Sequence, residues 1–256
     1  MEFVLEEGKD LRGECSTLIL PALSIGNVGQ LAVDLLVAST RAERVAYESS
    51  SNGLAFVQQR GPILKGRMID FAKNFADFIA ASGKKHVVVL SSLDFSRWQK
   101  VDMSSGLQMY YLSSVNADGT DEACQRLGWK RLEEYNPAHK KWEYLSTLAE
   151  GNPQREDSSF CEGGDKDEDY YPSLPFASLF SCLKAKGLKV TCLLCYCSEG
   201  DNMSDAFQLA EAACKLVGLN PRNFNGNADG GWVIPFSWQT VYGPPPDICS
   251  AIVFVR

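Results

Sequence analysis

The sequence predicts a layered α/β fold with a largely parallel central sheet. Two segments carry that prediction, Lys85–Ser91 and Leu188–Cys197, which are almost wholly apolar through their middles. Such runs suit strands covered on both faces. A third observation is that amphipathic helical patterns alternate with them along the chain. That order places helices against a mostly parallel sheet. At 256 residues the chain is long enough for one large domain, 1–256, with a substantial core.

The first strand is expected at Ser16–Pro21. A glycine-containing turn, Gly26–Gln30, follows it, and then a helix carrying Leu31, Val33, Leu35, Leu36 and Val37. Arg44–Tyr47 reads as a short strand and Ser49–Gly53 as a polar turn. From Lys65 to Ser82 a helix presents Met68, Ile69, Ala72, Phe75, Ala76 and Ile79 on one face, with Gly83 as its cap. Lys85–Ser91 is the second strand, Gly106–Ser113 a shorter one, and about 139–150 a helix. Residues 151–171 combine Gly, Pro and Ser with Asp165, Asp167, Glu168 and Asp169. They read as a solvated, disordered acidic insertion. A helix is expected at Leu174–Lys186, the last buried strand at Leu188–Cys197, and a helix at Met203–Val217 ended by Gly218.

Composition narrows the function classes. The net charge of −7 provides no chain-wide nucleic-acid footprint and disfavours anionic membranes. The N-terminus, Met1-Glu-Phe-Val-Leu-Glu-Glu7, has no basic region leading into an apolar run, so no secretory leader is expected. Nine cysteines therefore read as reduced intracellular thiols, several of them small core residues.

Candidate chemistry is sparse. There are two histidines; His86 and His139 sit beside lysines and are expected to face solvent. Cys192 and Cys195 are three apart in a strand, so they point to opposite faces and make a poor zinc or redox pair. Gly26-Asn27-Val28-Gly29 lies where phosphate-binding turns occur, but lacks both the dinucleotide spacing and the Gly-Lys-Ser/Thr ending. Its structural role would be a tight turn and close helix packing. Ser198-Glu199-Gly200-Asp201-Asn202 follows a buried strand, at the edge where α/β sheets bind ligands. Glu199, Asp201 and Asp205 could ligate a divalent cation; turn formation and capping by Asn202 or Ser204 explain the segment more simply. No catalytic residue, cofactor or metal site is assigned.

Three segments carry a family resemblance: Leu18–Leu36, Cys197–Ala206 and Trp232–Trp238. The positions involved are Gly26, Asn27, Gly29, Gln30, Glu199, Gly200, Asp201, Asn202, Trp232, Pro235 and Trp238. Together, with Ala81-Ser-Gly83 and Val87–Ser92, they resemble the proteasome assembly chaperone 2 family. The resemblance implies a three-layer α/β/α sandwich related to nucleoside phosphorylases but without their activity. It implies a heterodimer with proteasome assembly chaperone 1 that binds proteasome α subunits. That pair promotes α-ring formation and blocks off-pathway ring association, in the cytoplasm and also the nucleus. Two departures stand out. Tyr47 runs directly into Glu48 where the family has an additional stretch, implying a strand lost from mid-sheet and reduced stability. The tail Ile252–Arg256 does not match the family's hydrophobic–tyrosine–any docking motif. Competing expectations are a nucleoside-phosphorylase-like or nucleotide-binding enzyme using Gly26–Gly29 with Glu199 or Asp201, and a scaffold that recruits a basic partner through its acidic loop.

Overall fold

The computed structural model describes residues 16–40, 42, 48–49, 53–59, 61–97, 108–133, 135–151, 170–224 and 231–238. Its seven-stranded sheet has the order β2-β3-β1-β4-β7-β5-β6. The strands are β1 (Thr17–Pro21), β2 (Glu48–Ser49), β3 (Leu54–Phe56), β4 (His86–Asp94), β5 (Met109–Ser113), β6 (Lys130–Arg131) and β7 (Lys189–Cys197). Neighbours β3, β1, β4 and β7 run parallel, whereas β2 and β5 pair antiparallel to β3 and β7. The two apolar runs are the central strands: β4 and β7 pair along their whole length, from His86 opposite Lys189 to Asp94 opposite Cys197.

One face of the sheet is covered by α1 (Val28–Thr40) and α7 (Met203–Val217). The other is covered by α2 (Met68–Ala81), α4 (Lys140–Ala149), α5 (Tyr170–Ser173) and α6 (Pro175–Ala185). Short α3 (Glu122–Arg126) lies between β5 and β6 in the chain. This is a three-layer α/β/α arrangement. Strand alternation divides β7 between the two cores. Val190, Cys192, Leu194 and Tyr196 belong to the α2/α6 side, and Leu193, Cys195 and Cys197 to the α1/α7 side. Cys192 and Cys195 thus lie on opposite faces, as their spacing requires.

Several expectations need correction. Residues 43–47, including the expected strand Arg44–Tyr47, lie outside the described residues, as do most of the acidic insertion and the tail 239–256. The insertion does not extend to 171: Tyr170–Ser173 is a helical turn because Tyr171 is buried, its hydroxyl 2.7 Å from that of Tyr196. Tyr47 itself lies outside the described residues; Glu48 begins the edge strand β2, and the central strands β1, β4 and β7 pair without interruption. No helix among the described residues is long and apolar enough to cross a membrane.

Candidate functional site

The parallel strands β1, β4 and β7 end at one rim of the sheet, and the motif segments converge there. After β1, Ile25–Asn27 forms one 3-10 turn with Gly26 at φ 61° and Asn27 at φ 53°. The left-handed conformation suits Gly26 and is tolerated by asparagine. The Ile25 carbonyl accepts hydrogen bonds from Ser92 Oγ of β4 (2.7 Å) and Cys197 Sγ of β7 (3.5 Å). The turn is therefore fastened to the two central strands.

Gly29 has no room for a side chain. A Cβ there would strike the Leu90 carbonyl oxygen, with Leu90 C at 3.0 Å and Ala22 O at 3.3 Å. Glycine lets α1 lie directly on β4. A Cβ on Gly26 would likewise run into the side-chain amide of Asn202, whose Cγ lies 2.5 Å from that position. The two motif loops, far apart in sequence, thus pack against one another. Gln30 is half-buried at the start of α1, and its Oε1 has no hydrogen-bond partner among the described residues.

In the β7–α7 loop, Glu199, Gly200 and Asp201 are exposed and Asn202 is buried. The expected capping roles are corrected here. Asn202 makes no capping bond, because its Nδ2 turns back to donate to the Gly200 carbonyl at 3.0 Å. Asp201 Oδ1 instead accepts from the Met203 amide at 3.1 Å. Burial raises the Asp205 carboxyl above its usual range, and the Asp201 charge adds to the shift. No group of three or more metal-ligating side chains gathers among the described residues.

The tryptophan segment lies against the same helical layer. Trp232 packs edge-on to Phe207 and Phe224, at centroid distances of 5.9 and 5.2 Å. Trp238 is buried against Phe207, and its amide donates to the buried Pro235 carbonyl at 2.9 Å. The Val233 amide donates to Ser39 Oγ of α1 at 2.9 Å. Both tryptophans therefore serve as anchors for the layer, while Phe236 between them projects into solvent.

At the opposite end of the sheet lies a polar network that sequence reasoning missed. Buried Asp121 accepts through Oδ2 from Ser113 Oγ and Thr191 Oγ1, each at 3.0 Å. Its Oδ1 accepts from the Ala123 and Cys124 amides and caps α3. Thr191 Oγ1 also lies 2.9 Å from His86 Nε2. Since the Thr191 proton goes to the carboxylate, Nε2 is the donor to that oxygen. His86 is thus half-buried in this network rather than facing solvent, and burial lowers its pKa. Asp121 directly before a short helical run was the available capping signal. The described cysteines are all buried free thiols; burial raises Cys182 to about 11 and Cys214 to about 12.

Comparison with known proteins agrees with this architecture. Residues 47–221 match the PAC2 family. The chain is 26% identical over 261 residues to proteasome assembly chaperone 2 of Danio rerio, covering 89% of this chain and 91% of that one. Against proteasome assembly chaperone 2 of Homo sapiens it is 26% identical over 275 residues, covering 93% and 95%. Among solved structures, Pyrococcus furiosus PbaA, an archaeal homolog of proteasome-assembly chaperone, gives a TM-score of 0.52 at 14% identity over 81% of this chain and 83% of that one. Pyrococcus furiosus PbaB, an archaeal proteasome activator, gives 0.54 at 16% identity over 85% and 88%. These structures share the fold; the match across most of its length establishes that this chain belongs to the PAC2 family.

Proposed function

We propose that this chain is a non-catalytic proteasome assembly chaperone. The observation that carries this reading is its PAC2 family match over residues 47–221, together with near full-length relatives named proteasome assembly chaperone 2. In detail, the chain pairs with proteasome assembly chaperone 1, and the heterodimer binds α subunits of the 20S proteasome. It promotes α-ring formation and prevents premature association of half-built rings. The site of action is cytoplasmic and also nuclear. Recognition is of protein, in keeping with a net charge of −7 that suits neither nucleic acid nor an anionic membrane.

The local geometry supports a structural rather than chemical use of the motifs. Gly26 and Gly29 sit where Asn202 and the Leu90 carbonyl approach the backbone, and Asp201 caps α7. The nucleoside-phosphorylase kinship of the fold belongs to this reading as ancestry, not activity. Depleting the chain from its host and resolving proteasome precursors on native gels tests the proposal. Loss of complete α rings with accumulation of mispaired rings is expected. An unchanged precursor pattern, or saturable nucleoside and phosphate binding by calorimetry, would contradict it.

A further inference from the structure

We propose that the cleft between α7 and the β5–β6 edge is a docking groove for this chain's own segment 248–256, which lies outside the described residues and straps the open edge of the sheet. This docking is independent of the function proposed above.

The cleft has a volume of about 530 Å³ and is lined by Met109, Leu127, Trp129, Lys130, Glu211 and Lys215 among others. Its apolar groups are Met109 and Trp129, both half-buried, and Leu127, which is 36% exposed. Leu64, Phe95, Tyr144 and Phe236 are exposed as well, but none of them lines it. Its charged groups are already engaged: Lys215 pairs with Glu211 at 2.9 Å, and Lys130 Nζ donates to Gln108 Oε1 at 2.9 Å. Such walls exert little pull on a charged partner and suit an apolar segment of low charge.

The second observation is the sheet edge beside the cleft. β6 is the last strand in the sheet order, and its Lys130 lines the cleft. The Leu132 amide donates inward to the Tyr111 carbonyl at 2.8 Å, so Arg131 directs its own amide and carbonyl away from β5. Proteins cover such edges because they template pairing with other chains. An extended, apolar occupant rich in β-branched residues fills the cleft and covers the edge together.

Residues 248–256 have that composition. Ile248, Ile252, Val253 and Val255 are β-branched, Phe254 is aromatic, and Arg256 carries the only charged side chain. The approach is short. The chain leaves the described layer at Trp238, which packs edge-on against Phe207 of α7. Ala212, which lines the cleft, is about 8 Å further along the same helix axis. The intervening residues 239–247 can span up to about 30 Å when extended. A tether of that length supplies an effective concentration on the order of millimolar, which favours the chain's own segment over a free partner of equal intrinsic affinity.

The test uses the full chain with Phe254 replaced by the photo-cross-linking residue p-benzoylphenylalanine. Irradiating dilute protein and mapping the peptides is expected to join position 254 to peptides carrying Met109, Trp129 or Ala212 of the same chain. Leu127→Asp and, separately, Phe254→Asp are expected to speed hydrogen exchange of the Arg131 amide about tenfold. Tyr144→Asp on α4, outside the cleft, is expected to leave that exchange unchanged, and thermal melts confirm that each variant is folded. Cross-links that map elsewhere, or an Arg131 amide that exchanges in the parent chain as fast as in an unstructured peptide, would overturn the strap. Cross-linked products of twice the chain mass that disappear on dilution would place another copy's segment in the cleft and overturn the assignment to the chain's own.

Discussion

The two faces of the sheet are packed by different means. Under α1 and α7 the contacts include several small groups, Gly29, Ala32, Ala206, Ala210, Ala213, Cys195 and Cys214, beside larger Leu35, Leu36, Phe56, Tyr111 and Leu209. Under α2, α4 and α6 aromatic groups are more numerous, including Phe75, Trp142, Phe176, Phe180 and Tyr196, beside small Ala72, Ala76, Ala177 and Cys192. Small residues bring helix and strand backbones close together, as the Leu90 carbonyl against Gly29 illustrates. Large side chains fill a wider gap and leave more ways to repack. The motif segments gather on the close-packed side. They fix the backbone at the rim, whereas the aromatic side supplies bulk burial.

Mutations can break or sharpen that contrast. The largest effect is expected from Gly29→Ala, where the new methyl meets the Leu90 backbone, which cannot rotate away. A loss of about 3 kcal/mol is expected from urea denaturation. Asp121→Ala comes next. It removes the carboxylate to which the Ser113 and Thr191 hydroxyls donate and uncaps α3, and should lower stability by about 2 kcal/mol in the same assay. Leu183→Met, a volume-conserving change on the aromatic side, should reduce stability by about 1 kcal/mol or less. If Leu183→Met equalled Gly29→Ala, the contrast between the faces would be lost.

The smallest effect concerns pH. Burial lowers the His86 pKa from its usual 6.5, so the unfolded chain binds that proton more readily. The associated stability is fully present above pH 6.5 and declines as the pH falls from there through the lowered folded value. Comparing melting temperatures of His86→Gln and the parent chain between neutral and mildly acidic pH should show a shallower decline in the variant. Equal slopes would place the titration elsewhere.

Much of this architecture was legible in the sequence because the longer elements have strong patterns. The bounds of α7, Met203–Val217, and its left-handed Gly218 cap agree with the helical periodicity and the glycine that ends it. β4 and β7 stood out because both faces are buried, and alternation correctly separated Cys192 from Cys195. The short elements β3, α3 and β6 were missed, since two to five residues carry no readable period. At the rim, the sequence pointed to the glycine turn and the Glu199–Asn202 loop but not to their contact. Asn202 against Gly26 depends on how β1 and β7 are ordered around β4, a tertiary fact with no local signal. The same limit hid the His86–Thr191–Asp121 network, whose members come from three separate stretches of chain.

The central claim, that the chain works by pairing with another chaperone, is tested most directly by its mass in solution. Light scattering on material co-expressed with chaperone 1 should give a one-to-one heterodimer that retains α subunits. A lone monomer, binding neither the chaperone nor any α subunit, would contradict the account.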